Sequence, residues 1–140
     1  MSATQNQPTS SAKLPATSAG DLLRLVSLMH ILAEAVPPRT AVRQIEALFV
    51  IAYASAMGHS ITLSQVIEAI DPNGGARAIE RSIHAFTQSN KYYPDALDWV
   101  AHEADPEDRR KKYLVLTVKG RDALQSLLEA IRSDQGTLQK

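Results

Sequence analysis

Apolar residues are densest near the start of the chain, where residues 19–36 predict a first α-helix. Its apolar positions are spread around most of the helix circumference: Leu22, Leu23, Leu25, Val26, Leu28, Met29, Ile31, Leu32, Ala35 and Val36. A helix that packs against one neighbour needs an apolar stripe only about 100° wide. We therefore expect this helix to bury two faces, with a second subunit covering one of them; a central helix of a monomer is the alternative.

Proline, glycine and hydroxyl residues mark where the helices begin and end. Pro37-Pro38 ends the first helix, because proline lacks an amide hydrogen and its ring clashes with the preceding turn. A second helix is predicted after Thr40, with apolar residues at helical spacing from Val42 to Ala56 and an end at Gly58, and a third helix is predicted over 63–70. A serine or threonine stands at each expected N-cap: Thr17 or Ser18 for the first helix, Thr40 for the second and Thr62 for the third.

The third helix has a specific start signal. Thr62 followed by Gln65 predicts a capping box, in which each side chain bonds the other residue's backbone amide, and Ile61 with Val66 predicts a hydrophobic staple. The proline and glycines of residues 71–75 then predict a turn.

Residues 76–88 predict a fourth helix with two different faces. Ile79, Ile83 and Phe86 form an apolar stripe. The opposite side carries polar and cationic residues at spacings i, i+4, i+7 and i+11: Arg77, Arg81, His84 and Gln88. A short helix, a tight turn and a helix with a cationic outer face are typical of a helix-turn-helix.

A two-stranded β-ribbon is predicted next. Residues 97–103 supply the outgoing strand, in which Trp99 and Ala101 alternate with Val100 and His102. Either side could face the core, and Trp99 is the better core candidate because of its size.

The tip and return strand of the ribbon lie in the run 105–120. Pro106 fixes φ at a central turn position, and the side chains of Asp105 and Asp108 can hydrogen-bond nearby backbone. Four consecutive cations, residues 109–112, lead into the strand, and Thr117 can cap a last helix over 118–132. A cationic ribbon can lie along phosphates or enter a minor groove. A solvated hairpin with surface charge is the alternative.

Composition narrows the class of protein. The chain has 140 residues, 44% of them hydrophobic and only 5% aromatic, which favours one helical domain with an aliphatic core. It contains no cysteine, so disulfides and thiolate sites are excluded, and the absence of a long apolar run predicts a cytoplasmic protein with no membrane partner. The net charge is +0, and the segment from Arg77 to Arg121 has nine cations against seven anions, so any basic face depends on geometry.

The order of these elements resembles the MarR family of bacterial winged-helix transcription regulators. The run from Asp105 to Gly120, which reads DPEDRR, an alternating strand and LTVKG, carries the resemblance most specifically. The resemblance implies a mainly α, winged helix-turn-helix fold with a small β-ribbon and N- and C-terminal dimerisation helices. The Gly-rich turn at 73–75 and the room for only one C-terminal helix depart from the family pattern.

A domain organisation follows. The polar composition of 1–18, which lacks helical or strand periodicity, predicts a disordered arm. A winged-helix domain is expected over 19–132, and the tail at 133–140 is expected to fray. Within the domain, 19–36 and 118–132 are the dimerisation helices and 59–117 the DNA-binding lobe.

The leading hypothesis is a homodimeric transcriptional regulator that binds double-stranded DNA at a pseudo-palindromic site. The recognition helix would lie in the major groove and the wing at the minor groove, where the resemblance implies that Arg110 reaches the DNA and Asp108 orients it. The candidate DNA-binding residues are Arg77, Arg81, His84, Gln88, Asp108, Arg109, Arg110 and Lys112.

Other functions are weighed against this one. A winged-helix protein-interaction module is the main alternative, favoured by the neutral charge, and a replication or plasmid-partition protein of the same fold is a third. No nucleophile can be paired with a base, His30, His59 and His102 are interpreted as lacking a carboxylate at metal-ligand spacing, and no phosphate loop occurs. We therefore expect no enzyme, metal or cofactor. Regulation by a small-molecule effector is left open by the sequence.

Overall fold

The computed structural model describes residues 12–71, 73, 80–81, 83–88, 91–92 and 94–138, with side chains as far as Asp134. These residues form one antiparallel ribbon and four named α-helices: α1 (Ala19–Ala35), α2 (Val42–Ala56), α3 (Leu63–Ile70), β1 (Val100–Ala104), β2 (Lys112–Leu116) and α4 (Val118–Leu138). Residues 80, 81, 83 and 84 are also helical and are called the 80–84 segment. The architecture is mainly α with a small β-ribbon, as predicted. None of the helices in this described part is long and apolar enough to cross a membrane.

The first helix begins directly after a turn of 3-10 helix, Ala16–Ser18. Ser18 occupies the N-cap position, but its side chain makes no capping hydrogen bond; its backbone is already helical, and its amide donates to the Pro15 carbonyl at 2.9 Å. The predicted capping by Thr17 or Ser18 is therefore wrong. The predicted disordered arm also ends too late, while residues 1–11 lie outside the described residues.

The two apolar faces predicted for α1 are present, and they lie in different surroundings. Ile31 and Leu32 are partly buried against the core, where α1 runs along α4. At 100° per residue, Leu22, Val26 and Met29 share a stripe on the opposite side, which we call the outer stripe of α1. Val26 is 63% exposed, and no residue of α1 is fully buried within one chain. Coverage of this stripe by a second subunit remains a prediction.

The start of α2 differs from the prediction. Ala41, not Thr40, is the N-cap residue, and its amide donates to Oε1 of Gln44 at 2.6 Å. The Thr40 hydroxyl instead donates back to the Pro37 carbonyl at 2.6 Å, because it lies in the turn that Pro37 begins. The helix ends before Gly58, whose φ of 72° lies in the left-handed region that favours glycine, as predicted.

The predicted capping box of α3 is confirmed. The amide of Gln65 donates to Oγ1 of Thr62 at 3.2 Å, and the amide of Thr62 donates to Oε1 of Gln65 at 2.9 Å. The staple residue Val66 is fully buried. At the other end of α3, the guanidinium of Arg43 donates to the Ile70 carbonyl at 3.3 Å, so α2 fixes the point where the turn of the helix-turn-helix begins.

The predicted fourth helix ends earlier than expected. Residues 72 and 74–79 lie outside the described residues, so the predicted turn and the start of this helix are untested. The predicted end at Gln88 is wrong, because the helix stops at His84. The carbonyls that follow are used elsewhere: Ala85 accepts from the Leu97 amide at 3.0 Å, and Phe86 accepts from the Val100 amide at 2.8 Å.

The ribbon begins three residues later than predicted, at Val100. Its register pairs Val100 with Leu116, His102 with Leu114 and Ala104 with Lys112. Directly paired residues share a face, and the Val100–Leu114 face is the buried one near the base. Trp99 is buried too, because it precedes the strand and stacks on Phe86 with ring centroids 6.2 Å apart.

The C-terminal helix follows the return strand without a break. Thr117 caps it as predicted, accepting the Gly120 amide at 3.0 Å. The helix continues to Leu138, so the predicted end at residue 132 is wrong, and the fraying of the tail stays a prediction. The core lies among α2, α3, α4 and the base of the ribbon: Ala47, Leu48, Ile51, Val66, Ile70, Ile83, Phe86, Trp99, Val100, Leu114, Leu124 and Leu127.

Candidate nucleic-acid interface

The loop between β1 and β2 is an ordered turn that Asp105 organises. We call β1, β2 and the loop the wing, and residues 105–111 its tip. Oδ1 of Asp105 accepts the amides of Glu107 at 2.8 Å and Asp108 at 3.2 Å. The Asp105 amide donates to the Lys111 carbonyl at 2.9 Å, which closes the loop at its neck. The predicted turn chemistry is confirmed, and the tip is held by its own backbone and side chains.

A second bond ties the tip to the return strand. The Tyr113 hydroxyl donates to Oδ2 of Asp105 at 2.6 Å. This bond, followed by the Glu107 amide, lowers the pKa of Asp105 from its ordinary value of 3.8, and the same bond raises the pKa of Tyr113. The Lys111 ammonium lies 5.6 Å from the centre of the Tyr113 ring. The sequence analysis did not predict a role for Tyr113 in the wing. The signal in the sequence was a tyrosine eight residues after Asp105, on the other strand of the predicted ribbon.

Asp108 and Arg110 lie together, as the resemblance implies. The Arg110 amide donates to Oδ1 of Asp108 at 3.1 Å, and its Nε lies 3.7 Å from the same oxygen. The Arg110 side chain is 95% exposed. Such an exposed ion pair contributes little to stability, but it restrains a long side chain that would otherwise lose more entropy on binding.

The remaining cations of the wing point in different directions. Arg109 is exposed in the turn, and Lys112 is exposed at the start of β2. The Lys111 ammonium lies near the Tyr113 ring, whereas the charge of Lys112 lowers the pKa of His102 in the neighbouring strand. The two lysine side chains therefore lie on opposite faces of the ribbon, as expected from strand alternation.

The helix-turn-helix contributes fewer described residues than the wing. Arg81 is exposed on the 80–84 segment, and Gln88 is exposed beyond its end. His84 is half-buried, and its charge lowers the pKa of His102 in the wing. Arg77 lies outside the described residues, so its place on the same face as Arg81 stays a prediction.

His102 is a residue that sequence reasoning left out of the interface. Partial burial of its ring lowers its pKa from 6.5, and Lys112 and His84 lower it further. The structure thus places His102, which was not predicted as a DNA-binding residue, near the predicted residues His84 and Lys112. The signal in the sequence was the alternation that placed His102 on the same side as Val100.

Mainly apolar cavities lie away from the tip in the described part of the chain. One of about 440 Å³ separates α1 from α4 and is lined by His30, Trp99 and Ser126 among others. One of about 380 Å³ lies between the turn that follows α1 and the connection into the wing. A third, of about 270 Å³, is a groove between α2 and α4. Within the described part of the chain, no group of three or more metal-ligating side chains is present.

Comparison with known proteins identifies the fold. No family model matches the chain, and no curated protein matches it. The YusO protein from Bacillus subtilis matches with a TM-score of 0.61 and 18% identity over 87% of this chain and 74% of that one. The transcriptional regulator Tm0710 from Thermotoga maritima matches with a TM-score of 0.55 and 15% identity over 84% of this chain and 71% of that one. The chain therefore has a winged helix-turn-helix fold, and its resemblance to MarR-family regulators is confirmed at the level of the fold.

Proposed function

We propose that the protein is a homodimeric transcriptional regulator that binds double-stranded DNA. The observation that carries the proposal is the hydrogen-bonded wing tip, which holds the exposed Arg110 side chain beside Asp108 on a winged-helix fold. The likeness in fold to the transcriptional regulator from Thermotoga maritima supports it. A tip that is ordered before it binds loses less entropy on binding than a flexible cationic loop.

The wing would lie at the minor groove. Arg109 and Arg110 are adjacent in the exposed turn, and arginine is suited to narrow, negatively charged grooves because its guanidinium donates several hydrogen bonds in a plane. Asp108 would orient Arg110 without entering the groove. Lys112, at the root of the tip, would contact a phosphate.

The helix that contains the 80–84 segment would lie in the major groove. Arg81 is exposed on this segment, and Arg77, one helical turn before it in the sequence, belongs to the same predicted face. His84 and Gln88 would lie nearer the wing than Arg77. Phosphate contacts would position the helix, and base-edge contacts from Arg77 or Arg81 would provide the sequence readout.

A homodimer is supported by the outer stripe of α1. Burying a leucine, valine or methionine side chain contributes about 1.5–3 kcal/mol, so a stripe of three such residues left exposed favours association. The groove between α2 and α4 is lined by Phe49, Tyr53, Leu124 and Leu128 and offers a second apolar surface to the same partner. A two-fold dimer would read a pseudo-palindromic site, because its two helices repeat the same contacts.

Salt-dependent retention of DNA tests the proposal. Immobilised protein is mixed with pooled fragments of the genome that encodes it, and bound fragments are measured between about 50 and 200 mM salt. A binder that makes several phosphate contacts should lose affinity steeply over that range, and a subset of fragments should be enriched.

The protein-interaction module is the outcome to be distinguished. The net charge of +0 favours it, because bulk charge gives the chain no general attraction for polyanions. Failure to retain any fragment at the lowest salt concentration would favour that module over a DNA-binding regulator.

A further inference from the structure

Three side chains that carry or can gain a positive charge lie near one another where the wing joins the helix-turn-helix. They are His84 of the 80–84 segment, His102 of β1 and Lys112 of β2. In the ribbon register His102 lies opposite Leu114 and Lys112 lies opposite Ala104. His102 and Lys112 are therefore diagonal neighbours on one face of the ribbon.

The backbone brings His84 to this face. The Phe86 carbonyl accepts the amides of Trp99 at 2.7 Å and Val100 at 2.8 Å, which fixes the end of the 80–84 segment on the start of β1. His84 precedes this junction by two residues, and His102 follows it by two. Phe86 is almost fully buried and stacks on Trp99, so the junction is part of the core.

The cluster brings like charges together. Lys112 and His84 both disfavour a proton on His102, in addition to the partial burial of its ring. Among the described residues, neither His102 nor Lys112 forms an ion pair with a carboxylate. Glu103 follows His102 but shares the opposite face of the ribbon with Tyr113. On the 80–84 segment, Glu80 and Arg81 are exposed charges of opposite sign.

We propose that His84, His102 and Lys112 form a binding site for a DNA phosphate, and that the phosphate binds together with a proton on His102. The inference rests on the proposed DNA-binding function and adds both a residue and a proton to it. An anion placed among the three groups would convert their mutual repulsion into attraction. A phosphate oxygen accepts hydrogen bonds from ammonium and imidazolium donors alike.

The direction of the pH dependence follows from proton uptake. In the free protein His102 loses its proton below pH 6.5, so it is largely neutral near pH 7. A bound phosphate favours the charged imidazole and raises the pKa of His102. Binding then takes up a proton, and affinity rises as the pH falls from about 8 to about 6, by at most tenfold per pH unit for one proton.

The test uses a pool of random-sequence DNA duplexes, because phosphate contacts do not depend on sequence. Affinity is measured by fluorescence anisotropy at constant ionic strength for the wild-type protein, His102→Gln and His30→Gln. His30 is a matched control, since it is exposed on α1 with Glu34 as its neighbour at 3.6 Å. We expect wild type and His30→Gln to bind about three- to tenfold more tightly at pH 6 than at pH 8, and His102→Gln to lose most of this difference.

If His102→Gln binds DNA with the wild-type pH dependence, the inference is wrong and the proposed function stands. If the variant fails to fold, the His102 ring of the wild-type protein is titrated by NMR with and without saturating duplex; a raised pKa supports the site and an unchanged pKa overturns it.

A protein that binds no duplex at any salt concentration would contradict the proposed function itself. The pKa of His102 is then measured by NMR in inorganic phosphate and in chloride at equal ionic strength. A higher pKa of His102 in phosphate supports an anion site, and the same pKa in both solutions overturns it.

Discussion

The base and the tip of the wing belong to the same two strands but are held by different interactions. At the base, the Trp99 ring stacks on Phe86. The backbone carbonyl of Trp99 accepts the Thr117 amide at 3.0 Å, and Gly120 packs directly against the Trp99 backbone. Shape and burial dominate there. At the tip, the half-buried Asp105 accepts hydrogen bonds from backbone amides and from Tyr113 of the return strand, and the exposed Arg110 pairs with Asp108.

The difference predicts a separation of roles. Phe86, Trp99 and Gly120 at the base are buried, so changes to them should act on folding. Groups at the tip compete with water for their hydrogen bonds and contribute little to net stability, so changes there should act on binding.

Gly120→Ala should destabilise the fold by about 3 kcal/mol or more, because an added Cβ would overlap the Trp99 carbonyl and overpacking against backbone is not relieved by a rotamer change. The measurement is urea unfolding monitored by circular dichroism. Gly20→Ala is the matched control: no atom lies within 4 Å of its Cβ position, and it should leave stability unchanged or raise it by up to about 1 kcal/mol. Equal midpoints for the two variants would contradict the packing described at the base.

Arg110→Ala should weaken DNA binding by about 1–3 kcal/mol if the guanidinium reads a base edge, and should leave the unfolding midpoint unchanged. A gel-shift titration on a selected fragment measures the first quantity and urea unfolding the second. Arg132→Ala, an exposed arginine on α4, is the control for loss of one positive charge. Unchanged affinity for Arg110→Ala would remove its side chain from the binding mechanism.

Thr117→Val should destabilise the protein by about 1–2 kcal/mol, because it removes both the cap of α4 and a second hydrogen bond. The Thr117 hydroxyl accepts the Gly120 amide at 3.0 Å and donates to the Asp98 carbonyl at 2.6 Å. Thr117→Ser keeps the hydroxyl and should retain most of the stability in the same unfolding experiment. A valine variant as stable as the serine variant would show that neither bond matters.

Tyr113→Phe should raise the pKa of Asp105 back towards 3.8, because the variant lacks the hydrogen bond that lowers it most. In the wild-type protein, the stability that the Asp105 carboxylate contributes is present above pH 3.8 and is lost as the pH falls through its lower folded pKa. Because its folded pKa is closer to 3.8, the variant should have less of this stability to lose, and it should bind DNA about twofold more weakly. NMR titration of the Asp105 carboxyl measures the shift, and identical midpoints would exclude Tyr113 as its cause.

Features that depend on neighbouring residues could be predicted from the sequence. The partners are at most three positions apart in the capping box of Thr62 and Gln65 and in the pair Asp108 and Arg110. The chain itself therefore brings them together. The same reasoning failed for α2, because Thr40 had a competing backbone acceptor at Pro37.

Features that depend on the packing of distant segments could not be predicted in this way. The helix ends at His84 because β1 and the residues before it use the carbonyls that follow, and local propensity contains no information about that pairing. The requirement for glycine at position 120 comes from Trp99, which lies 21 residues earlier in the sequence. The cluster of His84, His102 and Lys112 likewise requires the register of the ribbon.

The salt dependence of DNA binding by the double variant Arg109→Ala/Arg110→Ala tests the central claim most directly. Each phosphate charge that a bound cation neutralises contributes about 0.9 to the slope of log affinity against log salt. A variant that removes two cations from the minor groove should therefore lose a slope of up to about 2 relative to wild type. Its unfolding midpoint should not change, because both side chains lie at the exposed tip. A wild-type slope in the variant, or a large loss of stability, would contradict the assignment of DNA binding to the tip and of stability to the base.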